Sequence, residues 1–134
     1  MKVSVIIPSL NPDNKLIAVV DALVSDGFED IIIINDGSDK EHMAPFESLA
    51  AYRECTILNH EVNKGKGRGL KTDFEFCLKN RPDIDGVVTV DGDNQHRVND
   101  IRNCIIVWKL CFNCCEVDII VFSTTSCYWI SMRV

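Results

Sequence analysis

Four consecutive isoleucines, at positions 31–34, constrain the fold of this chain more than any other sequence feature. β-Branched residues favour strands, and neighbouring side chains along a strand point to opposite faces of the sheet. A strand that is apolar at every position therefore belongs in a sheet that is covered on both faces. Sheets of this kind are mostly parallel, and the crossovers that join parallel strands are usually helices.

Apolar runs alternate with helical patterns along the first hundred residues. The runs predict strands at residues 3–7, 31–34, 55–58 and 87–90. The spacing of apolar residues predicts helices at residues 16–24, 40–54, 70–78 and 101–108, with Pro45 as a break or a late start in the second of them. This alternation predicts an α/β domain with a mainly parallel sheet and right-handed crossovers.

Turn and capping residues refine the boundaries of these helices. Asn11 is predicted to cap the first helix, with Pro12 at its first position, and Gly27 is predicted to end it. The third helix is predicted to turn four side chains toward the core, namely Leu70, Phe74, Cys77 and Leu78.

Length, charge and cysteine content bound the class of protein. A chain of 134 residues is enough for one domain with a single core. The formal net charge of −6 argues against a general nucleic-acid binder, so we predict no nucleic-acid partner. No signal-peptide pattern opens the sequence, and no run reaches the roughly 18 uncharged apolar residues of a membrane span. The seven cysteines, an odd number, then suit reduced thiols in a cytoplasmic protein.

Two carboxylates directly follow the fourth predicted strand. Asp91 and Asp93 are spaced i, i+2, and Gln95 and His96 come next. Ligands of open α/β sheets bind where strands end, and carboxylate oxygens can hold a hard divalent cation that bridges to phosphates. One interpretation is therefore a metal site for a diphosphate, and the other is a solvated acidic turn. A lone histidine such as His96 is more often structural than catalytic.

The first two predicted strands also end in polar turns. Pro8 and Ser9 could offer backbone groups and a hydroxyl to a ligand, although an ordinary βα turn has the same composition. Asp36 is followed by Gly37 and Ser38 at the end of the second strand. Its carboxylate could accept a hydrogen bond from a nucleoside base or ribose, or it could cap the following segment.

A basic, glycine-rich loop follows the third predicted strand. Residues 63–71 contain Lys64, Lys66, Arg68 and Lys71, with glycines between them. Glycines let backbone amides approach a phosphate, and a helix start favours an anion, whereas the alternative is a solvated basic loop. Leu70 stands where a P-loop requires glycine. The position of the loop after the third strand, not the first, argues against an NAD-binding Rossmann protein.

Four segments together resemble the family 2 glycosyltransferases, and they are residues 5–12, 33–38, 63–67 and 90–96. Their order and spacing are far more specific than any single motif. The Asp-x-Asp-x-Gln-His pattern is most similar to the dolichyl- or polyprenyl-phosphate mannosyl- or glucosyltransferase branch. Over roughly residues 2–105, the resemblance implies the GT-A fold, a Rossmann-like sheet that binds a nucleotide-diphosphate sugar. It also implies transfer of the sugar with inversion.

The resemblance carries specific residues and ligands with it. The implied nucleotide-sugar contacts are Pro8, Ser9, Asp36, Ser38, Lys64, Lys66 and Asp91. Mg²⁺ or Mn²⁺ would be held by Asp91, Asp93 and Gln95. The donor would be a UDP- or GDP-sugar, and the implied acceptor is a polyprenyl phosphate, which would bring the protein to the inner face of the membrane.

Two departures from the family pattern affect the expected activity. Asn35 stands where the family often has a second aspartate. The family's catalytic domain is also substantially longer, and its second half supplies the acceptor site. The competing interpretation is therefore a truncated, non-catalytic fragment that binds nucleotide. Unpaired sheet edges, where that second half would pack, predict self-association.

The last part of the chain differs in character from the first hundred residues. We predict a nucleotide-sugar-binding half at residues 1–110 and an atypical tail at residues 111–134, with a strand at 117–122. The tail is rich in cysteine, with Cys111, Cys114, Cys115 and Cys127. Their spacing lacks the two Cys-x-x-Cys pairs that are typical of a structural zinc site.

Overall fold

The computed structural model describes residues 2–93, 97–112 and 121–123. Strands and helices alternate along them, and a 3₁₀ turn at Lys40–His42 precedes the second helix. The elements are β1 (Val3–Ser9), α1 (Lys15–Ser25), β2 (Ile31–Asp36), α2 (Ala44–Leu49), β3 (Cys55–His60), α3 (Lys66–Asn80), β4 (Gly86–Thr89), α4 (Val98–Phe112) and β5 (Val121–Ser123).

The strands form one sheet in the order β3-β2-β1-β4-β5, and all four neighbouring pairs are parallel. The predicted α/β class and parallel sheet are confirmed. From β1 the chain moves outward to β2 and β3 on one side and then returns to β4 on the other side. Of the strand predicted at residues 117–122, positions 117–120 lie outside the described residues, and β5 continues the sheet beside β4.

Helices cover both faces of this sheet, as the isoleucine run requires. Ile31 and Ile33 belong to the larger core cluster, together with residues of α1, α2 and α4. Ile32 points to the opposite face, where it joins Ile6, Phe74, Cys77 and Val87 under α3. All four isoleucines at 31–34 are fully buried. The alternation of side chains along β2 therefore supplies both cores at once.

β1 continues two residues beyond its predicted end and includes Pro8, which lies opposite Ile34 of β2. The carbonyl of Ile6 accepts the backbone N–H of Val90 at 2.8 Å, so alternate backbone groups of β1 face β4. The nitrogen of Pro8 faces the same side, beyond the end of β4 at Thr89. Because a proline nitrogen has no hydrogen to donate, the ladder between β1 and β4 does not continue past this point.

The predicted start of the first helix is wrong. α1 begins at Lys15 after Asn14, and neither Asn11 nor Pro12 is helical. Asn11 instead has a φ of 48°, and its side chain binds Asp39, a partner that lies 28 positions away in sequence. Gly27 ends the helix as predicted, with a φ of 90° and its N–H bonded to the carbonyl of Val24 at 3.0 Å.

Two further helix predictions are corrected by the structure. The segment 40–54 contains a 3₁₀ turn and then the short helix α2, with Pro45 in its first turn, so the late start is the correct alternative. On α3, Leu78 is 41% exposed, whereas Asp73 is fully buried. The helix therefore presents a carboxyl to the sheet at a position where apolar spacing did not place a core residue.

Candidate functional site at the carboxyl edge of the sheet

The carboxyl ends of β1 and β4 border an open cavity of about 410 Å³. Residues 8–13 and Lys15 line it from the β1–α1 connection, and residues 91–93 line it after β4. Because β2 lies on one side of β1 and β4 on the other, the cavity sits where the strand order reverses. Crevices at such reversal points are the usual ligand sites of open α/β sheets.

The hydroxyl of Ser9 is a buried polar group in the wall of this cavity. Ser9 is 8% exposed, and its Oγ atom has no hydrogen-bond partner among the described residues. A Cβ atom added to Gly92 would lie 3.1 Å from Ser9 Oγ and 3.1 Å from Leu16 Cδ1. Glycine at position 92 therefore lets the turn after β4 pass against the end of β1. A buried hydroxyl without a partner is unfavourable unless a ligand or water satisfies it.

The two carboxylates predicted to hold a metal line the same cavity as Ser9. Asp91 is half-buried and Asp93 is exposed, and each has an interaction partner within the structure. Gln95, the third predicted ligand, lies outside the described residues, as does His96. Within the described ranges, no three or more His, Cys, Asp or Glu side chains form a group that could hold a metal.

Two carboxylates beside an open cavity nevertheless fit the coordination habits of Mg²⁺ and Mn²⁺. These hard cations prefer oxygen ligands, and Mg²⁺ is commonly bound through one or two carboxylates together with water and substrate phosphates. The donor set formed by Asp91 and Asp93 is of this kind, and the cavity leaves room for the remaining oxygen ligands.

Asn11 holds the loop after β1 against the turn after β2. Its backbone N–H donates to Ser38 Oγ at 2.9 Å, and its side-chain Oδ1 accepts the N–H of Asp39 at 2.8 Å. The backbone N–H of Ser38 in turn donates to Asn35 Oδ1 at 2.9 Å. The hydroxyl of Ser38 therefore already has a structural partner, the backbone N–H of Asn11. Its predicted contact with nucleotide stays a prediction.

Asp36 is buried at the end of β2 and binds the loop that follows β3. Its Oδ1 atom lies 2.7 Å from Nδ1 of His60 and accepts the backbone N–H of Lys64 at 3.0 Å. Burial by itself would raise the pKa of Asp36, but the hydrogen bonds from His60 and Lys64 outweigh it and lower the pKa below its ordinary value. The carboxylate is therefore ionised at neutral pH and anchors the basic loop to the sheet.

Glycines at two positions allow this anchoring. Gly37 has a φ of 75°, and a Cβ atom there would lie 2.3 Å from the backbone N of Asn63. Gly65 has a φ of 84° and directly precedes α3, whose first-turn amides at Arg68 and Gly69 donate to the Gly65 carbonyl at 3.0 Å. The N-terminus of α3 is thus held at the carboxyl edge of the sheet, where an anion would be favoured.

The structure sorts the predicted site residues into two neighbouring groups. Pro8, Ser9, Asp91 and Asp93 line the cavity. Asp36, Ser38 and Lys64 make contacts in the turns after β2 and β3 and are not among the described cavity residues. Lys66 opens α3, but its side chain lies outside the described part of the chain.

Sequence reasoning missed the roles of two residues at this edge. Asn11 joins the loop after β1 to the turn after β2, and His60 is the partner of Asp36. Asn11 had been assigned to a helix cap because Pro12 follows it. His60 carries no local signal except its place at the end of a strand, because its partners come from β2 and α3.

A larger cavity of about 650 Å³ lies at the opposite edge of the sheet. Both arginines that line it are paired: Arg81 binds Asp30, which also lines the cavity, at 3.1 Å, and Arg102 binds Asp26. None of the sequence motifs reaches it, and ligands of this fold bind at the carboxyl ends of strands. Its greater size therefore does not make it the candidate site.

The family model for glycosyl transferase family 2 matches residues 4–127. The chain belongs to that family. The match includes all five strands and the cavity between β1 and β4, so this family 2 domain has a Rossmann-like parallel sheet of the GT-A type. The division predicted at residue 110 stays a prediction, and α4 crosses that position.

Two curated relatives resemble this family 2 chain over most of its length. It is 25% identical over 104 residues to an uncharacterized protein of Methanocaldococcus jannaschii, an alignment that covers 78% of this chain and 40% of the relative. It is 28% identical over 113 residues to the UDP-N-acetylglucosamine–dolichyl-phosphate N-acetylglucosaminyltransferase of Methanococcus voltae, covering 75% of this chain and 44% of that enzyme. The chain thus spans less than half the length of these relatives.

No solved structure matches the family 2 chain. In the described part of the chain, no helix combines the length and the apolar character that crossing a membrane requires.

Proposed function

We propose that this family 2 domain binds a nucleotide-diphosphate sugar, UDP- or GDP-linked, and transfers the sugar with inversion to an acceptor. The observation that carries the proposal is the cavity between β1 and β4, into whose wall Ser9 brings an unpaired buried hydroxyl and beside which Asp91 and Asp93 lie. A nucleoside diphosphate combines groups that these side chains would bind, namely phosphate oxygens and hydroxyls.

In this proposal each group of residues has a separate task. Ser9 would donate a hydrogen bond to the diphosphate, and Pro8 would lie against the nucleoside. Lys64 and Lys66 would attract the phosphates from the loop that Asp36 anchors. Asp36 and Ser38 were predicted as nucleotide contacts, and both also hold this edge of the sheet in shape.

Asp91 and Asp93 would hold Mg²⁺ or Mn²⁺, with Gln95 as a third ligand. When bound, the cation would neutralise the charge that develops on the departing nucleoside diphosphate. Inversion requires the acceptor to approach the anomeric carbon opposite to the leaving group. A phosphate acceptor is already anionic and needs no general base, whereas a hydroxyl acceptor needs one, usually a carboxylate.

The acceptor we favour is a polyprenyl phosphate at the inner face of the membrane. The Methanococcus voltae relative is named for dolichyl phosphate, which is a lipid phosphate of this type. The exposed edge strand β3 would additionally allow self-association in solution.

Calorimetric titration with UDP and GDP, each with and without Mn²⁺, tests the donor site. We expect one nucleotide to bind in the presence of Mn²⁺ and to lose at least about tenfold in affinity without it. Asp93→Ala should abolish the effect of the metal while the domain stays folded. The matched control is Asp83→Ala, an exposed aspartate at the other edge of the sheet, which should bind like the wild type. Metal-dependent binding that is unchanged in Asp93→Ala would contradict the metal assignment.

The alternative is a non-catalytic nucleotide-binding domain. The reason to test it is that the alignments cover only 40% and 44% of the lengths of the two relatives. The two functions differ in turnover, not in donor binding. An assay that follows nucleoside diphosphate release with polyprenyl phosphate in detergent separates them. Metal-dependent binding without acceptor-stimulated release would support the alternative.

A further inference from the structure

Asn11 has an unusual backbone conformation in the loop between β1 and α1. Its φ is 48°, and among the described residues it is the only residue other than glycine with a positive φ. This left-handed region is unfavourable for residues with a side chain, although asparagine tolerates it better than most. Such conformations persist where surrounding contacts hold them, and they are frequent at ligand-binding sites. The contacts that hold Asn11 are therefore candidates for a functional role.

Both polar atoms of the Asn11 side chain bind one residue in the turn after β2. Oδ1 accepts the backbone N–H of Asp39 at 2.8 Å, and Nδ2 donates to Asp39 Oδ2 at 3.1 Å. The backbone N–H of Asn11 donates to Ser38 Oγ at 2.9 Å. The donor and acceptor of each side-chain bond are fixed by chemistry, because a backbone N–H only donates and a carboxylate only accepts. Asparagine suits position 11 because its side chain can do both.

The turn that receives these bonds is itself tied to the sheet. The backbone N–H of Ser38 donates to Asn35 Oδ1 at 2.9 Å, and Asn35 is buried in β2. Nδ2 of Asn35 donates to Asn59 Oδ1 on β3 at 3.0 Å. Hydrogen bonds of side-chain groups therefore connect the loop after β1 to two neighbouring strands, which gives this loop a rigid support.

The loop that Asn11 holds forms one wall of the candidate site. Residues 8–13 line the cavity between β1 and β4, and they include Leu10 and Pro12 on either side of Asn11. The positive φ at position 11 sets the direction of the chain, so it decides where these two neighbours lie. Because both polar atoms of its side chain bind Asp39, Asn11 acts on the cavity through the shape of the loop.

We propose that Asn11 is a positioning residue for the nucleotide-diphosphate sugar, and that its pairing with Asp39 holds the loop after β1 in the shape that receives the donor. The inference rests on the proposed function, because it assumes that the donor occupies the cavity between β1 and β4. A loop that already has its bound shape loses less conformational freedom on binding, which raises affinity. The pair thus contributes to donor affinity through the loop.

Calorimetry with UDP and GDP in the presence of Mn²⁺ tests this role in a set of variants. Asn11→Gly permits the positive φ but removes both side-chain bonds, so nucleotide affinity should fall by about tenfold. Asn11→Asp places two carboxylates against each other and should weaken binding at least as much. The exchanged pair, Asn11→Asp with Asp39→Asn, again has a donor facing an acceptor and should bind within about threefold of the wild type.

Two controls separate the pairing from the effect of charge alone. Asp39→Asn by itself keeps an acceptor for Asn11 and should bind like the wild type. Asn11→Asp with Glu41→Gln has the same net charge as the exchanged pair, but the carboxylate of Asp39 is retained, so binding should stay weak. Glu41 is an exposed residue of the 3₁₀ turn. Equal affinities for this variant and the exchanged pair would overturn the proposal, as would wild-type affinity in Asn11→Gly.

The backbone amide at position 39 reports the pairing without any nucleotide. Its protection from hydrogen exchange should fall in Asn11→Gly and recover in the exchanged pair. Urea denaturation of each variant shows that the protein is folded where its affinity is measured. If the amide loses protection while the folded variant binds like the wild type, the role of Asn11 is merely structural and the proposal is overturned.

Failure of the proposed function has a different signature. If the wild type binds neither UDP nor GDP with Mn²⁺, the proposed function fails and the positioning role fails with it. The protection of the amide at position 39 still shows in that case whether the pair of Asn11 and Asp39 forms. If the wild type binds one nucleotide and only the effects of the Asn11 variants are missing, the positioning role fails by itself.

Discussion

Replacing Asp73 should stabilise this protein, and the gain should depend on pH. Asp73 lies on α3 and is fully buried, and neither carboxyl oxygen has a hydrogen-bond partner among the described residues. It faces the same side of the sheet as the apolar cluster that contains Phe74 and Cys77. An unpaired carboxyl in such surroundings loses hydration without any compensating bond.

The size of the effect follows from the pKa of this group. Burial raises the pKa of Asp73 from 3.8 to about 8. Between these values the unfolded chain releases a proton that the folded chain keeps, so unfolding becomes easier by about 1.4 kcal/mol for each unit of pH. The loss of unfolding free energy caused by Asp73 is absent below about pH 4, reaches roughly 4 kcal/mol at pH 7, and is complete above about pH 8. That is a large part of the roughly 5–15 kcal/mol by which domains are usually stable.

Urea denaturation at pH 5 and at pH 7.5 measures this cost directly. Asp73→Ala should be more stable than the wild type at pH 7.5, and its advantage should be smaller by about 3 kcal/mol at pH 5. Asp73→Asn should lose the same pH dependence but gain less, because a buried amide stays unpaired. The control is Glu75→Ala on the same helix, whose exposed pair with Lys71 should contribute less than about 1 kcal/mol at either pH. If the free energy of unfolding changed with pH by the same amount in the wild type and in Asp73→Ala, the reasoning would be refuted.

Three other expectations can be checked with the same protein. Gly37→Ala should destabilise the fold by about 2 kcal/mol or more in urea denaturation, because position 37 has a positive φ and its Cβ would meet backbone at 2.3 Å; an unchanged midpoint would contradict this. Ser9→Ala should leave stability unchanged within about 1 kcal/mol, because Ser9 Oγ has no described partner, and should weaken nucleotide binding in calorimetry by about fivefold. Light scattering should detect self-association through β3, and a monomer at all concentrations would argue against it.

The sheet could be predicted from the sequence because its signals are local. Residues 31–34 are apolar at every position, which is enough to require two covered faces, and the structure buries all four. The polar residues at the ends of β1 and β4 could be located for the same reason, because they directly follow apolar runs. Pro8, Ser9, Asp91 and Asp93 do line one cavity.

Residues whose role depends on a distant partner could not be assigned in this way. Asn11 was interpreted as a helix cap because Pro12 follows it, but its side chain bonds to Asp39 across the sheet edge. His60 has partners 24 and 12 positions away. Leu78 was misjudged and Asp73 was overlooked, because helical spacing identifies a face only approximately. The packing of α3 on β1 and β2 selects the residues that are buried.

The sequence by itself therefore determined the class of fold, the parallel sheet and the family, because these depend on the order of apolar runs and turns along the chain. The tertiary structure alone decided that Asp36 anchors a loop through His60, that Ser9 brings an unpaired hydroxyl to the cavity, and that Asp73 is buried without a partner. The physical reason is that hydrogen bonding and desolvation depend on which groups meet in space, and strand order and helix packing bring together residues that are far apart in sequence.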